Sequence, residues 1–308
     1  MKELPMGFIQ MFRHSALVYK KNFAKLFLPL LLFQLVLLVP LMFFTMPGTV
    51  SVARSLLLTL SQTGGSSVSS VLLVLLIVAC VAIFVSPLMV SNVVYVINSD
   101  YEGQSVTFRE AGGHAKKRYA GMLRSYFAII VLMIPIIVVA ALIFGNIAFD
   151  GGVLKDPLPG GAIAAIIVIA AVVLFFLFGI VFVPYTVAVE GKNGMKAVLT
   201  SYRYAFFGNF WSNFTRILTA AAIVALGGVV INWLSQLPFK ELYNLYLRDP
   251  MLALQDPLMV FVILLALAAI VVITLIFPFW YAFTYHTYQN AKYEYERKYP
   301  HNADKTGV

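Results

Sequence analysis

Six intervals of this chain contain no Asp, Glu, Lys or Arg: Leu26 to Ala53, Ser55 to Ser99, Ser125 to Phe149, Pro157 to Val189, Ile217 to Phe239 and Pro257 to Ala291. Runs of this length restrict the fold more than any motif does. A helix needs about 20 apolar residues to cross roughly 30 Å of hydrocarbon, and each interval can hold one. Composition agrees, since 61% of the 308 residues are hydrophobic and 11% charged, against about 25% charged in a soluble domain. So few charges cannot cover a water-facing surface. The sequence predicts an integral membrane protein of all-α fold, with six transmembrane helices over 27–46, 69–97, 125–149, 161–189, 217–237 and 258–288. "SQTGGSSVSS" (61–70) is too polar and glycine-rich for hydrocarbon and reads as a loop.

The basic residues predict an orientation. Eighteen of the 22 Lys and Arg fall in the N-terminal arm, the 98–124 and 190–216 connections and the C-terminal tail. The other four are Arg54, Lys155, Lys240 and Arg248. Such asymmetry is the positive-inside signature and places both termini in the cytoplasm. A cleavable leader ending at "SVA" (51–53) is the less favoured reading, because the apolar run ahead of it is about twice the usual length. The formal charge of +9 is explained by anionic headgroups at the cytoplasmic face, so membrane lipids are the expected partners and no nucleic acid is required.

A two-helix repeat is also legible. "FRHSALVYKKNFAKLF" (12–27) and "FREAGGHAKKRYAGML" (108–123) align at an offset of 96, and "MKAVLTSYRYAFFGNFW" (195–211) is a looser third copy. The even-numbered intervals end in similar stretches carrying Pro87, Pro184 and Pro278. These echoes predict three parallel two-helix repeats with cytoplasmic interfacial helices: a first unit over 1–97, a second over 98–189 and a third over 190–288, followed by a tail over 289–308. Bases seven apart, Arg13 and Lys20 or Lys196 and Arg203, would lie opposite rings on such helices. A proline inside a span frees a carbonyl that must then find a partner within the protein.

Chemistry is scarce. The central portions of the expected spans carry no charge, which is where proton relays and ion pathways show themselves. Cys80 is the only cysteine, and His14, His114, His286 and His301 show no metal-ligand spacing. Neither a metal nor a cofactor is expected. The one charged group of interest is Glu190, expected to pair with Arg203 or Lys192 as a structural clamp. The five tyrosines at 285, 288, 293, 295 and 299 read as headgroup anchors or as a docking handle.

The run "VPYTVAVEGKNGMKAVLTSYRYAFFGNFW" (183–211), together with "FREAGGHAKKRYAGML", resembles the bacterial membrane domain attached to some glycerophosphodiester phosphodiesterases, and related stand-alone six-helix proteins. The likeness rests mainly on Pro184, Glu190, Gly191, Ala197, Ser201 and Trp211. In that family catalysis belongs to a separate soluble barrel. The 98–124 connection falls far short of the about 250 residues that a barrel needs. The resemblance therefore implies the membrane module without the enzyme. The expected function is a structural, accessory or partner-binding role in the cytoplasmic membrane, with a membrane protein or a second copy as partner. The alternative is a transporter or exporter of a lipid-like or apolar solute.

Overall fold

The computed structural model describes residues 4–45, 68–150, 153–154, 160–226, 229 and 257–300. Among these the regular structure is helical, apart from a short antiparallel pairing of β1 (Phe149–Asp150) with β2 (Val153–Leu154). The helices are α1 (Phe8–Lys21), α2 (Phe23–Thr45), α3 (Val68–Tyr101), α4 (Phe108–Ala148), α5 (Gly160–Ile180), α6 (Val183–Ala188) and α7 (Gly194–Tyr202). A π-helical turn (Arg203–Gly208) leads into α8 (Phe210–Leu226), and α9 (Pro257–Lys298) follows. Of the polar loop expected at 61–70, residues 68–70 are instead the start of α3. The rest of it, residues 227, 228 and 230–237 of the span expected at 217–237, and Arg54, Lys155, Lys240, Arg248 and His301 lie outside the described residues.

Local sequence accounts for the helix boundaries. α1 buries Met11, Ser15 and Val18 on one face, at the spacing of an amphipathic helix. It ends at Asn22, whose side chain donates to the Val18 carbonyl (3.3 Å) and to Asp100 (3.2 Å), where Lys21 also pairs at 2.7 Å. α4 opens on a capping box. The Thr107 N–H donates to Glu110 Oε2 (2.8 Å) and the Glu110 N–H donates to Thr107 Oγ1 (3.3 Å). From that cap it runs unbroken through Ala148. The segment expected to lie flat ahead of the third span is thus the first part of one long helix.

Six transmembrane helices in three two-helix repeats with separate interfacial helices is therefore corrected. Among the described residues three helices are long and apolar enough to cross a membrane: Cys80–Tyr101, Phe108–Leu142 and Ile163–Ala188. Phe23–Val36 and Phe210–Leu226 are shorter apolar helices. The later part of α9 is covered by protein instead, with Tyr285, His286, Thr287 and Tyr288 all fully buried. A charge-free interval records what a segment lacks and not what covers it, so buried polar aromatics passed as membrane core. The chain divides into two compact units, one of Met1–Phe8, Lys116–Ile217 and Thr284–Val308, the other of Ile9–Ala115 and Leu218–Phe283.

Multiple membrane-crossing helices make this a multi-pass membrane protein. Its three recurring prolines are not equivalent. Pro87 and Pro278 sit inside continuous helices, whereas Pro184 stands in the first turn of α6. There its missing N–H costs no helical hydrogen bond.

Candidate functional site

The apolar helix α5 ends at Ile180, and the chain turns through Val181 and Phe182 before α6 begins. α6 stops at a glycine. Gly191 has φ 73°, in the left-handed region that L side chains avoid. Its N–H donates to the Val187 carbonyl (3.1 Å), and the Lys192 N–H reaches back to the Thr186 carbonyl (3.2 Å). A β-carbon at Gly191 would also overlap the Arg118 guanidinium. This turn aims the preceding side chain, Glu190, into the unit.

Four donors meet the Glu190 carboxylate. Lys192 Nζ lies 2.6 Å from Oε2 and Lys292 Nζ 3.3 Å from Oε1. The Tyr204 hydroxyl donates to Oε2 (3.3 Å) and the Tyr288 hydroxyl donates to Oε1. A carboxylate offers about four lone-pair sites, so these donors occupy its whole capacity. The side chain is 10% exposed. Burial pushes the carboxyl pKa up, but the Lys292 charge and the hydrogen bonds from Lys192 and Tyr288 outweigh it. The net result is a carboxylate held below the ordinary glutamate range. The Tyr204 hydroxyl is pushed strongly upward, first by burial and then by the Glu190 charge, so it stays a proton donor.

Aromatic rings wall the cluster. Tyr185 stacks on Tyr288 (5.5 Å between centroids), Phe182 and Tyr204 each approach Tyr288 at 5.9 Å, and Tyr295 meets Tyr204 edge-on at 5.5 Å. The Lys192 ammonium also lies 5.7 Å from the centre of the Tyr204 ring. Nearby, the buried Asn290 clasps Met6 in both directions, accepting from its N–H (3.0 Å) and donating to its carbonyl (2.9 Å). Arg216 donates to the same carbonyl at 3.3 Å.

Of the expected pairings, the structure forms Glu190 with Lys192 and not Glu190 with Arg203. Arg203 is exposed and, among the described residues, makes no ion pair, because it opens the π-helical turn with its side chain outward. The adjacent Tyr204 points inward instead. Lys292, Tyr204 and Tyr288 are the functional residues the sequence reading missed. Tyr285, Tyr288 and Tyr295 are buried as well, so these three are interior packing and not headgroup anchors. Their sequence signal was spacing, since 285, 288 and 295 are three and seven apart and fall on one helical face.

His114 belongs to the other unit, where its ring stacks on Tyr95 at 4.0 Å. His286 packs edge-on to Tyr285. Cys80 is an exposed free thiol. Among the described residues no group of three or more His, Cys, Asp or Glu is placed to hold a metal ion.

No curated protein and no solved structure matches the chain. A match over residues 6–291 spans most of its length, and on that ground the chain belongs to the family described as Domain of unknown function (DUF7847).

Proposed function

We propose that this multi-pass membrane protein has a structural, accessory role in the cytoplasmic membrane, with both termini cytoplasmic and Glu190 as a clamp. The observation that carries this reading is the saturation of the carboxylate. A general base needs a lone pair free for the substrate proton, and two lysines and two tyrosines already occupy those of Glu190. Purified protein in detergent is expected to turn over neither a glycerophosphodiester nor a phospholipid. Turnover in the parent that vanishes in Glu190→Gln at unchanged melting temperature would overturn the clamp.

The orientation is supported by what one unit gathers. Met6, Arg118, the 190–216 segment and Lys292 all lie in it, joined by the contacts described above. Arg118, Lys192, Lys196, Arg203, Arg216 and Lys292 all lie in this unit, and an excess of basic residues marks the cytoplasmic side of a membrane, which supports this orientation. In a Cys80→Ser background, cysteines at Lys117 and Lys196 should react only from the cytoplasmic side, and a cysteine at Gly160 only from outside. Labelling of Lys117 from the outer face would refute this orientation.

A further inference from the structure

α7, the π-helical turn and the first turn of α8 expose large apolar side chains: Met195 (43%), Leu199 (52%), Phe207 (56%) and Trp211 (74%). The exposed bases Lys196 and Arg203 lie among them, and no Asp or Glu occurs between Gly191 and Phe239. Positions 195, 199, 203, 207 and 211 are four apart. In an α-helix four residues advance about 40° beyond a full turn, so such a stripe drifts around the helix. The wider π-helical turn Arg203–Gly208 offsets that drift. Asn213, buried, donates to the Tyr204 (3.2 Å) and Ala205 (3.4 Å) carbonyls of this turn.

The opposite face is fixed to the unit. Ala197, Val198, Thr200 and Ser201 are buried, and Thr186 Oγ1 donates to the Ala197 carbonyl at 3.4 Å. The segment's depth is also set. The Tyr202 hydroxyl donates to the Phe176 carbonyl (3.3 Å), and the Phe206 ring meets Phe175 at 4.3 Å and Phe178 at 5.2 Å. Phe175 to Phe178 lie in the last two turns of α5 (Gly160–Ile180), so the exposed stripe lies beside the end of that apolar helix. Exposed Trp and Phe interleaved with bases, without acids, at that depth match the headgroup layer of an anionic leaflet.

We infer that this face binds anionic phospholipid headgroups, with Phe207 and Trp211 at the boundary of the acyl region and Lys196 and Arg203 on lipid phosphates. The site is separate from the Glu190 clamp and does not depend on it. The test uses the full chain in nanodiscs of phosphatidylcholine, alone or with phosphatidylglycerol. Spin labels at Leu199→Cys and Phe207→Cys, in the Cys80→Ser background, should meet both dissolved oxygen and an aqueous nickel relaxant, as at headgroup depth. The chain should retain phosphatidylglycerol preferentially. Lys196→Gln with Arg203→Gln should weaken that preference roughly tenfold to thirtyfold, as for two surface charges, with the melting temperature unmoved. Labels reached by the aqueous relaxant alone would place the face in water and overturn the proposal. Labels shielded from both agents would mean that a second copy or another protein covers it, and an unchanged lipid preference would remove the charge recognition; either result overturns it.

Discussion

Glu190→Ala should lower unfolding free energy by about 3–5 kcal/mol, as removal of one partner from a buried ion pair does. The loss comes from what remains. Lys192, Lys292, Tyr204 and Tyr288 would still point at a space that no longer holds a negative charge. Glu190→Gln keeps the shape and one acceptor oxygen, so it should cost less. Lys292→Met should be destabilising in the parent and nearly neutral beside Glu190→Gln, which a double-mutant cycle would read as coupling. The pH dependence has a definite sign. The folded carboxyl pKa is depressed, so its stabilisation is present above the unfolded value of about 4.3 and is lost as pH falls through the folded value. Melting temperature in detergent should therefore drop on acidification across that window in the parent, and drop less in Glu190→Gln. A Glu190→Ala variant within about 0.5 kcal/mol of the parent would show instead a solvent-screened pair with little energetic weight.

Much of this arrangement was written locally and could be read. Glu190 followed by Gly191 announces a helix end, and Lys192 is near enough in sequence to be named as a partner. Thr107 and Glu110 form a capping box that anyone can find by spacing, although its consequence, one helix from Phe108 to Ala148, was masked by the basic residues between them. What could not be read were the distant partners. Tyr288 and Lys292 lie about a hundred residues beyond Glu190, and only the fold brings α9 back to it. Arg203 was named as a possible partner on charge, yet whether it or Tyr204 faces inward depends on the π-helical turn, for which the sequence carries no periodic signal. The error in span number has the same origin. Hydropathy cannot distinguish apolar surface that meets lipid from apolar surface that meets protein, and α9 holds buried Tyr, Thr and His where the pattern implied hydrocarbon.

Ser201→Ala should be almost as damaging as loss of Glu190, at about 2–4 kcal/mol, for a reason that involves no charge. The break between α5 and α6 falls within the apolar run Ile163–Ala188, where water is not at hand to satisfy freed backbone groups. The Pro184 ring clashes with the carbonyl four residues back, so the helix cannot close in the regular way across this point. The fully buried Ser201 hydroxyl spans the gap. It donates to the Gly179 carbonyl at 2.6 Å and accepts from the Phe182 N–H at 3.1 Å. Alanine leaves both backbone groups buried and unpaired, each at about 1–3 kcal/mol. Gly179 belongs to the same elbow, because a β-carbon there would run into the Tyr202 ring. Gly179→Ala must therefore displace that ring, and with it the Tyr202 hydrogen bond to the Phe176 carbonyl, and should destabilise as well. Pro184→Ala tests the cause. Removing the proline ring and its clash lets the helix continue and its backbone bond across the break, so Ser201→Ala should cost less in a Pro184→Ala background than in the parent. Equal cost in both backgrounds would mean that Ser201 matters by packing rather than by satisfying the break. A Ser201→Ala protein that melts with the parent would mean that aromatic packing alone holds the elbow.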